Sequence, residues 1–227
     1  MSPLLEVEVR QVRDVAGAVE GGADRLLLTT ESGLSPDLKQ ALGVIREASI
    51  PVRVALRLNE SRTTTGGEFT RLCGLVGEYL ALGAEGVMFG FLDAELGVDV
   101  EVCGGIAEAN PGVPWTFNDA IDDCLETERA WRALRTLPGL DAVLASGSPR
   151  GLGVGYDELL AFAEGDRSAA AMLLPGRGLV AEQVPWLVRA GVGQFHLGPQ
   201  SRPSGSYRAY VDAGHVRSWR LLLDNSM

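Results

Sequence analysis

The chain has 227 residues, with 20 Lys and Arg against 30 Asp and Glu, a formal net charge of −10 and 46% hydrophobic residues. That apolar content supports a full core and excludes intrinsic disorder, and the acidic balance excludes nucleic acid as the main partner, because phosphate binding needs a basic face. No uninterrupted apolar run reaches 18 residues, and Met1-Ser2-Pro3-Leu4-Leu5-Glu6 lacks the basic start and apolar stretch of a secretory signal, so a cytoplasmic protein without a membrane span is expected.

Eight short apolar segments read as strands: Leu4–Val9, Arg25–Thr29, Val52–Leu56, Gly86–Phe91, Trp115–Asn118, Ala142–Ala145, Ala170–Leu174 and Gln194–Leu197. Each is followed by a stretch with helical apolar spacing, such as Val12, Val15, Ala16 and Val19, then Leu38, Leu42, Val44 and Ile45, then Phe69, Leu72, Leu75, Val76 and Leu80. Gly22, Gly83 and Gly191 follow helices and suit left-handed C-caps before the next strand. Ser35-Pro36 reads as a cap residue and first-turn proline opening the second helix. Eight strand–helix units without a Pro-, Ser- or charge-rich linker predict one domain over residues 1–227, a single (β/α)8 barrel of the TIM type. An open doubly wound sheet is the alternative, but no GxGxxG follows the first strand.

In such a barrel the chemistry sits at the C-terminal ends of the strands. Strand one offers Glu6 and Glu8, two apart and on one face; if that face points into the barrel they share a low-dielectric space and one tends to keep its proton, the alternative being a solvated Glu8 near the mouth with only Glu6 interior. Arg57 ends strand three, placed either to clamp a carboxylate or phosphate or to neutralise Glu6 or Glu8. Asn118 ends strand five and can orient a ligand, while Asp122 reads as a general base or as an N-cap. Ser146-Gly147 after strand six and Arg177 in the Gly-rich turn after strand seven offer N–H groups and charge to an anion. His196 ends strand eight and is the histidine placed for acid–base work; His215 falls in the last helix, at the surface.

Composition removes several chemistries. Three cysteines (Cys73, Cys103, Cys124), odd in number and widely spaced, give no disulfide framework, and with two histidines they give no zinc site. The single lysine, Lys39, lies in a surface helix, which excludes Schiff-base catalysis, and neither GxSxG nor a P-loop occurs. Cys73 and Cys103 read as packing residues; Cys124 is the one thiol near the mouth.

A series of short strings runs in order along the chain: Leu4-Leu5-Glu6-Val7, Gly22-Ala23-Asp24-Arg25-Leu26 against a GADR motif, and Ser32-Gly33-Leu34-Ser35-Pro36 against GGLTPS. It continues with Arg57 at the first arginine of RPR, Thr116-Phe117-Asn118-Asp119-Ala120-Ile121-Asp122 against TFHRAFD, and Val143-Leu144-Ala145-Ser146-Gly147 against LTSG. By these strings the chain resembles, over nearly its whole length, the copper homeostasis protein CutC family. The departures are Asn118 and Asp119 where the motif has His and Arg, Leu27 for an acidic residue, Asn59 for the second arginine, and the altered turn Leu174-Pro175-Gly176-Arg177-Gly178. The resemblance implies a TIM-type barrel, a role in copper handling and copper as the cofactor, within a pocket that is retained but re-lined. Cu(I) prefers thiolate and thioether ligands, which makes Cys124 the metal-ligand candidate. The residues alone also fit an isomerase, lyase or hydrolase acting on a small anion, with Glu6, His196 and Asp122 moving protons and Glu8, Arg57, Asn118, Ser146, Gly147 and Arg177 binding. A binding protein with a degenerate site is a third reading. The expected partner is a small anionic ligand or a metal ion, with a homodimer paired through outer helices open to it.

Overall fold

The computed structural model describes residues 2–226. In chain order its elements are β1 (Leu4–Val9), α1 (Val12–Gly21), β2 (Arg25–Leu28), α2 (Leu38–Glu47), β3 (Val52–Ala55), α3 (Gly66–Ala81), β4 (Gly86–Phe89), α4 (Val100–Ala109), β5 (Trp115–Phe117), α5 (Thr127–Leu134), β6 (Leu140–Ala145), α6 (Leu152–Gly165), α7 (Arg167–Met172), β7 (Leu173–Pro175), α8 (Val184–Ala190), β8 (Gln194–Leu197) and α9 (Ala213–Asn225). All eight strands are parallel in the order β7-β6-β5-β4-β3-β2-β1-β8, a (β/α)8 barrel. The Gln194 amide reaches from β8 to the carbonyls of Asp141, Ala171 and Met172 at 3.3–3.4 Å, spanning the seam where β8 meets β7. Among the described residues no helix is long and apolar enough to cross a membrane.

Strand alternation sorts the side chains. Leu5, Val7, Leu26, Leu28, Val52, Val54, Val87, Phe89, Trp115 and Phe117 point outward and fill the layer under the helices, with Phe89 and Trp115 stacked at 4.1 Å. The inward positions carry a small apolar cluster of Leu27, Met88, Ala142, Leu144 and Leu174, together with Glu6, Glu8, Arg25, Arg53, Thr116 and His196. A barrel interior is ordinarily packed with branched apolar side chains, so these buried charges are the unusual feature of this one.

Several expected boundaries shift. Predicted strand seven, Ala170–Leu174, is mostly helix: the Asp166 carboxylate caps Ser168 and Ala169, and Arg-Ser-Ala-Ala-Ala-Met then forms α7, leaving Leu173–Pro175 as the strand. The second helix opens at Asp37, whose side chain accepts from Gln40 N at 2.7 Å, and not at Ser35. Ser35 Oγ instead accepts from the backbone N of Arg57 at 2.8 Å. In α1 the buried face is Asp14, Val15, Ala18 and Gly21, with Val12 and Ala16 exposed. Gly22, Gly83 and Gly191 have φ of 94°, 103° and 103°, the expected left-handed helix ends.

The segment from β8 to α9 folds back over the top of β1. Arg202 and Asp14, each 1% exposed at the side chain, form an ion pair at 3.2 Å, and Asp14 also accepts from Val211 N and Arg10 N. Arg202 further donates to the carbonyl oxygens of Glu8 and Gly198, so its charge is well supplied with acceptors.

Candidate functional site

Parallel register places the central cluster. Glu6 on β1 lies directly across from Arg25 on β2 and from His196 on β8. Its carboxylate therefore receives Arg25 Nε at 2.6 Å on one oxygen and meets His196 Nδ1 at 2.9 Å on the other. One turn of the pleat higher, Glu8 meets Arg10 Nε at 2.8 Å, accepts from Tyr207 Oη at 2.7 Å and faces His196 Nε2 at 3.8 Å. Both carboxylates are buried, and both are held ionised where the paired reading would have one keep its proton. Burial favours the protonated form, but Arg25 and His196 hold Glu6 down at about 2, and His196, Tyr207 and Arg10 hold Glu8 at about 2. Burial works against a charged imidazole, yet the two carboxylates raise His196 to about 9, so it is an imidazolium at neutral pH.

Below this cluster Arg53 closes the barrel, donating to Thr116 Oγ1 at 2.6 Å, to Glu85 at 3.0 Å and to both oxygens of Asp141. Above it opens a cavity of 310 Å³. Its floor is Leu27, Ala55, Met88 and Leu144, and Glu8, His196, Arg10, Arg57, Asn118, Asp119 and Arg177 are among its polar walls. An apolar floor with a few converging polar groups is the usual make-up of a small-ligand site, and this volume is at the small end of the ~300–1,000 Å³ range.

The cations of the rim differ in their partners. Arg177 has φ of +33°, unusual for a residue with a side chain, and spans Asp119 at 3.0 Å and the Pro149 carbonyl at 3.1 Å. Asp119 is shared with Arg62 at 2.8 Å; burial raises its pKa, and Arg62 and Arg177 more than reverse that. Arg57 does not neutralise Glu6 or Glu8, which Arg25 and Arg10 already serve. Its guanidinium donates to the main-chain oxygens of Glu60 and Ser61, and its Nε is buried without a partner among the described residues.

Glycine at position 176 follows from His196. A Cβ there would come within 2.7 Å of Leu144 Cδ1 and 3.1 Å of His196 Cδ2, so the main chain of the β7 turn lies against the imidazole and fixes its tilt.

Not every expected site residue joins this cavity. Asp122 is neither the N-cap of α5 nor part of the mouth: its carboxylate takes Ser146 N at 2.9 Å and Gly147 N at 3.0 Å. Those two N–H groups are thereby occupied and do not face a ligand. Burial pushes Asp122 up to about 6 against the pull of the Ser146 amide. Asn118 lines the cavity, but its Oδ1 caps Ala120 N at 3.0 Å. Cys124 lies beside the Asp119–Asp123 turn, bonded to the Ala120 carbonyl at 3.7 Å, and is not among the cavity residues. Burial, then Asp123 and Asp93, push its thiol up to about 11. Among the described residues no set of three or more His, Cys, Asp or Glu is placed to hold a metal ion.

Arg10, Arg25, Asp119 and Tyr207 were missed from the sequence. The first three had a signal: Arg10 follows the Glu6/Glu8 strand, Arg25 stands opposite Glu6 once the strands are paired in register, and Asp119 follows Asn118. Tyr207 lies in an irregular segment ten residues beyond β8, where no periodicity points.

Comparisons with known proteins agree on a kinship. The model of the CutC family matches residues 3–201. A family protein CutC of Klebsiella pneumoniae is 30% identical over 200 residues, 85% of this chain and 78% of its own length. A human protein named copper homeostasis protein cutC homolog is 28% identical over 89% of this chain and 76% of its own. The crystal structure of a CutC protein from Streptococcus agalactiae superposes with a TM-score of 0.75 at 20% identity, covering 86% of this chain and 98% of that one.

Proposed function

From the premise that the chain belongs to the CutC family, we propose that it is a cytoplasmic protein of copper homeostasis, the role for which its human relative is named, and that its working part is the barrel mouth acting on a small organic anion. Copper-ion binding, implied by the family, is the finer point the residues favour least. Cu(I) takes thiolate and thioether ligands. Cys124 is a half-buried thiol held protonated by burial and by neighbouring carboxylates, and among the described residues it belongs to no group of three or more His, Cys, Asp or Glu that could hold a metal ion. His196 carries its proton between Glu6 and Glu8 and has no lone pair to give. These residues do not fit a tight copper seat.

The observation that carries the anion reading is Arg57. It is a permanent cation on a cavity wall, it bonds to main-chain oxygens alone, and its Nε is buried unpaired. On that wall a carboxylate or phosphate would meet a guanidinium that no side-chain carboxylate already neutralises. Arg177 lies on the same rim, its charge shared with Asp119.

Two titrations test this together. A Cu(I) competition against a chromogenic chelator under reducing conditions is expected to show weak binding that Cys124→Ser leaves unchanged. Thermal shifts with inorganic phosphate and small carboxylates are expected to show stabilisation that Arg57→Ala abolishes. Tight one-to-one Cu(I) binding lost in Cys124→Ser would return the role to metal ligation.

A further inference from the structure

Resting on the anion reading of the mouth, we propose that this cavity is an active site for keto–enol proton transfer on short 2-oxo carboxylates, with Glu8 the base and His196 the acid. Each feature of that substrate has its counterpart on the cavity wall. The carboxylate pairs with Arg57, with Arg177 on the same rim. A short alkyl tail rests on Leu27, Ala55, Met88 and Leu144. The carbonyl oxygen takes the Nε2–H of His196, and the adjacent C–H faces Glu8 Oε2.

The spacing of the two catalytic groups is what selects the reaction. His196 Nε2 and Glu8 Oε2 are 3.8 Å apart, too far for a hydrogen bond and near enough to bracket the oxygen and the neighbouring carbon of one carbonyl unit. Both are fixed in place. His196 is held by Glu6 at Nδ1 and by the Gly176 main chain; Glu8 is held by Arg10 on Oε1 and by Tyr207 on Oε2, whose second lone pair is the one that takes the proton. Groups held this firmly lose little entropy on reaching the reactive geometry.

The step balances without a co-reactant. Glu8 removes a proton from the carbon beside the carbonyl, and the C–H pair becomes the C=C bond. The carbonyl π pair moves to oxygen, which takes the Nε2 proton of His196. An ionised Glu8–imidazolium pair thus becomes a neutral carboxylic acid and a neutral imidazole, and the enol forms with no change in the net charge of the buried site. Burial penalises charge, so a charge-conserving step suits this environment. The coupling also answers the low basicity of Glu8 at rest. The imidazolium is the first of the groups depressing its pKa, and that influence disappears as His196 gives up its proton. Glu6 stays ionised against Arg25 throughout.

Pyruvate, 2-oxobutanoate and 2-oxopentanoate in D₂O supply the test, with loss of the C3 proton signal followed by NMR and binding measured separately by saturation transfer. The wild-type protein is expected to speed exchange by ~10²-fold or more over buffer, the usual scale for a positioned acid or base. Glu8→Gln and His196→Gln should bind and fail to exchange. Arg57→Ala should lose both, with its carboxylate contact gone. Binding without exchange by wild type overturns the proposal and leaves the anion site standing. Absence of binding by all three acids overturns the proposal, and the anion reading falls with it when inorganic phosphate gives no thermal shift either.

Discussion

His196 Nδ1 lies 2.9 Å from Glu6 Oε1 because β1 and β8 are paired in register, Glu6 opposite His196. The pair sets a pH dependence of stability. The imidazole is raised from 6.5 in the open chain to about 9 in the fold, so the folded state binds that proton more tightly. Its stabilisation is complete below pH 6.5 and is lost as pH rises through 9. Glu6 and Glu8 are lowered from 4.5 to about 2, so theirs is complete above 4.5 and is lost as pH falls through 2. Denaturant unfolding at pH 6.5 and pH 9 should show a loss on the order of 3 kcal/mol in the wild type. His196→Gln should flatten that slope; parallel profiles for the two proteins would remove the imidazolium from the interior.

Arg25 is the other partner of Glu6, at 2.6 Å and almost fully buried. Removing one member of a buried ion pair leaves the other charge uncompensated, at a cost of about 3–5 kcal/mol, whereas an apolar replacement of both can be neutral. His196 still faces Glu6 when Arg25 is lost, and loses its own partner when Glu6 is, so Arg25→Met and Glu6→Leu are each expected to destabilise and the double variant to destabilise by less than their sum. A double-mutant cycle by chemical denaturation measures the difference, and additivity of the two changes would mean that the pair is not coupled.

The barrel was legible in the sequence because its signal is repeated: eight apolar segments separated by helical spacing and closed by left-handed glycines. Its weakest stretch was Ala170–Leu174, where an Ala-rich segment reads equally as strand or helix until the Asp166 cap decides it. The carboxylate pair of β1 was legible by alternation, yet its charge state was not. That depends on Arg25, which only the strand register brings across from Glu6, and on Tyr207, which is 199 residues away from Glu8 in the chain. Asp122, Ser146 and Gly147 each read separately as ligand-facing groups; the structure pairs them with one another, the carboxylate spending its oxygens on the two amides.

Gly176 is silent in composition and decisive in space. Gly176→Ala puts a methyl 2.7 Å from Leu144 Cδ1 and 3.1 Å from His196 Cδ2. Overpacking of this kind costs ~1–3 kcal/mol. The ring, pushed toward the cavity, should lengthen its contact with Glu6, and its pKa should fall from about 9 toward 6.5. NMR titration of the His196 ring protons reads this directly. An unshifted His196 titration would show that Gly176 does not set its position.

Arg57 separates function from stability. Every other rim cation is tied to a carboxylate: Arg10 to Glu8, Arg62 to Asp119 and Asp123, Arg177 to Asp119. Arg57 has main-chain oxygens and a buried unpaired Nε. Truncating a satisfied ion pair destabilises, but removing Arg57 relieves an unsatisfied donor that costs ~1–3 kcal/mol, and the Glu60 and Ser61 oxygens it releases belong to exposed residues that water can serve. Arg57→Met keeps most of the packing volume of the stem, so it is expected to leave the melting temperature unchanged or raise it. The same substitution should abolish the stabilisation that phosphate or a small carboxylate gives the wild type, which amounts to ~2.7 kcal/mol at a hundredfold excess over Kd. Calorimetry of both proteins with and without the anion decides it. A variant that melts well below wild type in plain buffer would make Arg57 a structural cation, and one that keeps the anion-induced shift would place the ligand elsewhere.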